Sequence, residues 1–132
     1  MSSATIEVLH DQALSDDDAA SLIDILNGLV YLCAHHNWFS PGHRNEVILN
    51  ITVSAWMLGL NPENTLDEFV SINIIDPHKD DEDTFTRMRR MLNYTDRFSF
   101  DYMMNTTIYE SYGHMIGSPD LRKWPIEFKL VK

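Results

Sequence analysis

The stretch SPGHRNEVILNITVSAWMLGL, residues 40–60, is the most apolar in the chain, and we expect the rest of the protein to pack around it. The apolar residues of this stretch fit both the two-residue period of a strand and the period of a helix. Apolar residues alternate with other residues from Val47 to Met57, which favours a half-buried strand, and the β-branched residues favour a strand as well. On a helical wheel, the same residues leave only a narrow polar strip at Asn50 and Ser54.

The two ends of the stretch favour a helix. Ser40 followed by Pro41 has the form of an N-cap with proline at the first helical position, where its missing N–H costs nothing. Gly59, followed closely by an Asn-Pro pair, indicates a C-terminal stop. A helix that is apolar around most of its circumference is normally surrounded by other elements. Residues 40–60 are therefore predicted to form a central helix, with a strand over residues 46–58 as the alternative.

The clearest helical pattern precedes the central stretch. Ser15 is a suitable N-cap, and Asp16, Asp17 and Asp18 fill the first turn, where the helix dipole favours negative charge. Apolar residues then recur at three- and four-residue spacing until about His35. The loop to the central helix is short, so the two helices are predicted to form an antiparallel hairpin.

Three shorter helices are predicted after the central one. Thr65 and Glu68 have the spacing of a capping box that opens a third helix, and residues 71–75, which follow it, fit either a helix or an extended segment. A fourth helix follows an acidic segment, with its methionines facing inward. Ser99 is the predicted N-cap of a fifth helix, which ends near Gly113.

Both ends of the chain have an alternating pattern typical of strands. Residues 4–10 and 124–130 are predicted to be strands that pair with each other. A two-stranded ribbon is marginal alone, so it must lie against the helices or pair with another subunit. The predicted fold class is therefore mainly α: one domain over residues 1–132, built as a bundle of four to five helices around the central helix, with a minor β element from the two termini.

Composition and length restrict the class of protein. A chain of 132 residues with 44% hydrophobic residues is long enough to bury a core without disulfides or metal. No apolar run approaches the ~20 residues of a membrane span, and the first residues lack the features of a secretory signal. Cys33 is the sole cysteine, so no intramolecular disulfide can form and a reduced, cytoplasmic location is predicted.

The formal net charge of −10 is distributed unevenly along the chain. Residues 1–86 carry 15 acidic and 2 basic side chains, whereas residues 87–132 carry 5 acidic and 8 basic ones. A negative field of this size disfavours direct binding to nucleic acid or to an anionic membrane, and it favours a basic partner.

A histidine-rich loop is the one candidate metal site. His36, His43 and Glu46 are residue types that bind zinc or iron, and the last two lie one helical turn apart. Adjacent His35 and His36 would point about 100° apart on a helix, and neither HExxH nor ExxH is present. We therefore predict no metal and no other cofactor, and the loop is only a weak candidate for a metal-dependent or hydrolytic enzyme.

Other catalytic and ligand-binding signatures are weaker still. Residues 76–83 are acidic, but a calcium loop would need glycine at Asp81 and glutamate at Arg87. We predict instead a solvated helix N-terminus in which Asp83 and Arg87 form an i, i+4 pair. Cys33 lies on an apolar face and is predicted to have a buried, inert thiol. The sequence contains no GxSxG, P-loop or GxGxxG, so no catalytic residue is predicted.

A basic and aromatic segment follows the acidic part. Its composition is typical of surfaces that bind phosphates or single-stranded nucleic acid. We favour a second interpretation, in which the arginines pair with acidic residues of the N-terminal part. The arginines of this segment are Arg87, Arg89, Arg90 and Arg97.

The most unusual feature is a predicted acidic face. Its residues are Asp16, Asp17, Asp18, Asp24, Asp67, Glu68, Asp80, Asp81, Glu82 and Asp83. The leading hypothesis is a non-enzymatic, small acidic protein-binding module that presents this face to a basic protein surface. If that surface belonged to a nucleic-acid-binding protein, the module would act as an inhibitor of the phage, mobile-element or immunity type.

Two alternatives belong to other classes of protein. One is a self-assembling structural subunit, in which the terminal strands or the Met-rich helices form a homo-oligomer. The other is a small metal-dependent or hydrolytic enzyme that uses the loop from His35 to Glu46.

Overall fold

The computed structural model describes residues 2–7, 14–35, 39–40, 43–79, 82–105 and 126–131. Its α-helices are α1 (Asp16–His35), α2 (Arg44–Met57), α3 (Pro62–Ser71), α4 (Thr84–Leu92) and α5 (Phe100–Met104). A 3-10 turn, Thr95–Arg97, joins α4 to α5. The strands are β1 (Ser2–Glu7), β2 (His78–Lys79), β3 (Glu82–Asp83) and β4 (Ile126–Val131). The mainly helical fold with a minor β element is confirmed.

Helix α2 lies at the centre, in contact with α1, α3, α4 and the 3-10 turn. The residues that the alternating pattern assigned to a strand are therefore helical. Nine of its residues are buried, including polar ones. The Asn50 side-chain amide donates to the Glu46 carbonyl at 2.8 Å, and the Thr52 hydroxyl donates to the Ile48 carbonyl at 2.7 Å. Because the Asn50 amide and the Thr52 hydroxyl are satisfied within the helix, these two groups can be buried at little cost.

The main core forms where the other helices cover α2. Its fully buried side chains come from α1, α2, α3, α4 and α5, and the largest include Leu22, Leu29, Ile48, Ile51, Phe69, Met88 and Met103. No helix in the described part of the chain is both long and apolar enough to cross a membrane.

The start of α2 differs from the prediction. The helix begins at Arg44, and its N-cap His43 makes no side-chain capping bond. Ser40 contributes its backbone carbonyl instead, which accepts the N–H groups of His43 and Arg44 at 2.9 and 2.8 Å. A turn therefore precedes the helix, and the prediction of Ser40 as the N-cap was wrong.

Two helices end in the same way, with a left-handed residue that closes a Schellman motif. After α2, Gly59 has φ 75°, and the Leu60 N–H reaches back to the Ala55 carbonyl at 2.8 Å. After α3, Asn73 has φ 63°, and the Ile74 N–H bonds the Phe69 carbonyl at 3.4 Å. Gly59 was predicted as a stop, and residues 71–75 are now seen to form the end of α3 and the turn after it.

The N-cap of α3 is Asn61, not Thr65 as the capping-box spacing predicted. The Asn61 Oδ1 atom accepts the Asn64 N–H at 3.2 Å, and Pro62 occupies the first turn. Thr65 lies inside the helix, where its hydroxyl donates to the Asn61 carbonyl at 2.8 Å. The Asn-Pro pair that ends one helical pattern therefore also begins the next.

Two other caps agree with the prediction, and a third, at Asp83, was not predicted. The Ser15 hydroxyl accepts the Asp18 N–H at the start of α1, and the Ser99 hydroxyl accepts the Tyr102 N–H at the start of α5. The Asp83 carboxylate accepts the N–H groups of Phe85 and Thr86 at 2.8 and 3.1 Å. The predicted extension of the fifth helix to Gly113 lies outside the described residues.

The β elements are small. Strands β1 and β4 pair in parallel, from Ser2 opposite Ile126 to Glu7 opposite Val131, so the predicted pairing of the chain ends is confirmed. Strand β1 also contacts α3, as a two-stranded ribbon requires. Strands β2 and β3 form an antiparallel pair in the acidic segment before α4, which was predicted as a loop or a helical turn.

We expect Gly59→Ala to destabilise the protein by roughly 1 kcal/mol, because a Cβ atom at positive φ clashes with the neighbouring carbonyl oxygen. Urea unfolding followed by circular dichroism would measure the change. Asn73→Gly is the matched control, since glycine accepts the same left-handed backbone without this clash. A loss as large in Asn73→Gly as in Gly59→Ala would contradict the explanation.

Candidate functional site

A cleft of about 660 Å³ opens between α2, α4 and the segment that leads into α5. We call it the arginine–tyrosine cleft. From α2 it is lined by Asn45, Glu46, Leu49 and Asn50. From α4 it is lined by Arg87, Arg90 and Met91. Its remaining described residues are Tyr94, Phe98, Tyr102 and Asn105.

Arg87 ties together the elements around this cleft. Its side chain is only 13% exposed. The Nε and Nη2 atoms donate to Glu82 Oε2 at 2.9 and 2.6 Å, and Nη1 donates to Asn45 Oδ1 at 2.6 Å. Strand β3, helix α4 and helix α2 are thereby joined through one guanidinium, which can present five donors in a fixed plane.

Glu82 bonds two arginines with its two oxygens. While Arg87 occupies Oε2, the Nη2 atom of Arg90 bonds Oε1. The hydrogen bond from Arg87 is the largest cause that lowers the pKa of Glu82, and the positive charges of Arg87 and Arg90 lower this pKa further. One carboxylate thus bonds two guanidiniums, so these three side chains together keep one positive charge, while Glu46 places a second carboxylate on the cleft lining.

An aromatic row also lines the cleft. The rings of Tyr94 and Phe98 lie 6.2 Å apart at 50°, and those of Phe98 and Tyr102 lie 4.9 Å apart at 53°. Such tilted contacts are favourable for aromatic pairs. Tyr102 is 50% exposed, so one end of the row presents an open ring to solvent.

The arginines divide between two sides of α4. Arg89 bonds Glu63 of α3, away from the arginine–tyrosine cleft, whereas Arg87 and Arg90 bond Glu82. The favoured interpretation, in which arginines pair with acidic residues of the N-terminal part, is confirmed for these three. The predicted pair of Asp83 with Arg87 was wrong, because Asp83 caps α4 and the β2–β3 hairpin brings Glu82 to the guanidinium. Arg97 is exposed in the 3-10 turn.

The residues of the predicted acidic face lie on several elements. Asp16 and Asp17 are exposed at the start of α1, with Asp18 and Asp24 partly buried on the same helix. Asp67 is exposed on α3 and Glu68 is partly buried there. Glu82 is engaged by arginines and Asp83 by the cap of α4. The two remaining residues, Asp80 and Asp81, lie outside the described part of the chain.

Two of the three weak metal candidates lie in the described part of the chain. His43 lies just before α2, Glu46 lines the cleft, and His36 falls outside the described ranges. Among the residues that the structure describes, no group of three or more His, Cys, Asp or Glu side chains could hold a metal ion.

Cys33 has the buried thiol that the sequence predicted. It lies on α1 with 7% of its surface exposed, and loss of solvent raises its pKa to about 12, opposed in part by a backbone hydrogen bond from Phe39. Since the thiolate is the reactive form, this thiol is inert in the folded protein.

Comparison with known proteins gives no family for this chain. A scan of protein-family models and searches of curated proteins and of solved structures each found no match. Its function therefore has to be argued from its own residues.

Sequence reasoning missed the cleft as a site, although it had noted most of its charged and aromatic residues. One signal was present: Tyr94, Phe98 and Tyr102 recur every four residues. The contribution of α2, especially Asn45, had no local signal, because it depends on the packing of α4 against α2.

We expect Glu82→Gln to lower the stability of the protein at neutral pH and to remove part of its pH dependence. A carboxylate whose folded pKa is lowered stabilises the fold above its ordinary pKa, about 4.3, and this stabilisation is lost as the pH falls through the lowered value. The difference between the free energies of unfolding of the two proteins should therefore shrink as the pH falls from about 4.3 through the lowered pKa of Glu82. A constant difference over this range would contradict the assignment.

We also expect Cys33 to resist a thiol reagent such as Ellman's reagent at about pH 8, because both its burial and its raised pKa suppress the thiolate. Full reaction should appear only in unfolding concentrations of urea. The chain has a single cysteine, so the signal reports this residue alone. Rapid labelling of the native protein would contradict the described burial.

Proposed function

We propose that this protein is a non-enzymatic, cytoplasmic binding module that presents an acidic surface to a basic region of another protein. The observation that supports the proposal is the imbalance among exposed side chains in the described part of the chain. Seven exposed carboxylates belong to Asp16, Asp17, Asp67, Asp76, Asp83, Asp96 and Asp101. The exposed guanidiniums there belong to Arg89, Arg90 and Arg97.

Internal ion pairs already engage some of these guanidiniums. Arg89 bonds Glu63 and Arg90 bonds Glu82, so two of the three exposed guanidiniums already have a carboxylate partner. Part of the positive charge that the sequence concentrates after residue 86 is therefore neutralised by glutamates of the same molecule. The exposed carboxylates contribute to a negative field that would speed encounter with a cationic partner and repel anionic ones.

The first turn of α1 is the proposed centre of contact. Asp16, Asp17 and Asp18 are consecutive, and the first two are exposed. Ser15 caps the helix through its own hydroxyl, so the cap does not consume these carboxylates. If the basic partner is a nucleic-acid-binding protein, the carboxylates take the positions of phosphates, and the module inhibits it by competition.

Affinity capture from the native lysate, repeated with two charge variants, tests this proposal. The triple variant Asp16→Asn, Asp17→Asn and Asp18→Asn should weaken capture of a basic partner by about tenfold, as expected for three partly screened charge pairs. Raising the salt concentration should weaken capture of the same partner by wild-type protein. An oligonucleotide should compete if the partner binds nucleic acid.

The matched control removes the same charge elsewhere. Asp76→Asn, Asp96→Asn and Asp101→Asn together neutralise three exposed carboxylates on other elements and should leave most of the affinity intact. Circular dichroism would show that both variants keep their helices. Capture that is insensitive to salt and equal in all three proteins would refute an acidic contact surface.

A further inference from the structure

We propose that the arginine–tyrosine cleft is a second binding site, and that it takes a small ligand that joins a planar ring to one anionic group, as a nucleoside monophosphate does. This inference goes beyond the acidic surface and does not depend on it. It rests on the cleft's size, on two kinds of binding group that line it together, and on the ion pairs that fix one of them.

The anionic group of the ligand is assigned to Arg90. This side chain is 62% exposed and bonds Glu82 through Nη2, which leaves other N–H donors of the guanidinium for an anion. Arg87 is a positioning residue, because its Nε, Nη1 and Nη2 atoms are already bonded to Glu82 and Asn45. By sharing Glu82 with Arg87, Arg90 is held at the cleft while one positive charge stays uncompensated within this group of three.

The planar ring of the ligand is assigned to the aromatic row. Tyr102 is half exposed and contacts Phe98 in a tilted arrangement, at 4.9 Å between ring centres. An exposed ring held by a second ring is a suitable platform for stacking, and stacking accepts any planar heterocycle. In this proposal the Tyr102 ring stacks on the planar ring of the ligand, and the Arg90 guanidinium binds its anionic group.

Two amides supply complementary hydrogen-bonding groups at the same cleft. Asn45 accepts from Arg87 through Oδ1, so its Nδ2 atom remains to donate. Asn105 donates through Nδ2 to the Asp101 carbonyl, so its Oδ1 atom remains to accept. One donor and one acceptor are what the polar edge of a heterocycle requires.

Size and charge favour one nucleotide over a nucleic-acid strand. The cleft volume of about 660 Å³ lies within the range of small-molecule sites. Glu46 lines the cleft, Asp96 and Asp101 are exposed on the elements that carry the aromatic row, and the whole chain has a net charge of −10. This field repels a chain of phosphates much more than a single one.

Calorimetric titration of the purified full chain with adenosine 5′-monophosphate, adenosine and inorganic phosphate tests the proposal. The monophosphate should bind at least about tenfold more tightly than either part alone, since it uses both the ring and the guanidinium. Arg90→Gln and Tyr102→Ala should each weaken its binding by about tenfold or more. Chemical shift changes in a spectrum of the amide groups should appear at Asn45 and Asn105.

Two neighbouring residues provide matched controls. Arg89→Gln removes an arginine of similar exposure that also bonds a glutamate, but on the other side of α4. Trp56→Ala removes an exposed aromatic side chain outside the cleft. Both should bind the monophosphate as the wild type does. Absence of binding by the wild type, equal losses in the control variants, or tighter binding of a single-stranded oligonucleotide than of the monophosphate would overturn the proposal.

Discussion

Burial of α2 on most of its surface is the constraint on which the rest of the fold depends. A helix this apolar is unstable in water alone, so α1, α3 and α4 each have to cover part of it. These helices gain most of their own stability from the same packing, because short helices are marginal in isolation. The end of α2 that carries Asn45 and Leu49 stays partly accessible, and the arginine–tyrosine cleft forms there.

Charge pairing then divides the surface into two kinds of region. Glu82 gathers Arg87 and Arg90 at the cleft, while Glu63 holds Arg89 against α3. These three arginines thereby bond glutamates of the same molecule, and exposed carboxylates remain on other elements. Under the two proposals above, a negative field would attract a basic partner over a distance, and the guanidiniums at the cleft would hold a small anion at short range.

The amphipathic patterns and two of the caps were predictable because they depend on residues close in sequence. Ser15 and Ser99 cap helices as predicted, whereas the cap by Asp83 was not predicted. Thr65 was mistaken for a cap because Asn61 performs two roles, and the capping-box rule considers only one helix at a time. The partner of Arg87 could not be read from helical spacing, since a hairpin places Glu82 beside it. The cleft could not be predicted from the sequence either, because it forms only when three elements pack together.

Every residue of the connection between α2 and α3 takes part in ending one helix or in beginning the next. Gly59 closes one helix, Leu60 bonds back to it, and Asn61 and Pro62 already begin the next. Each residue there has a fixed backbone conformation, so an added or deleted residue would rotate α3 about its axis and turn its apolar side away from the core. In evolutionary terms, this joint should keep its length while other connections of the chain vary. The two helices and their connection therefore act as one structural unit, and we expect related sequences to keep its length.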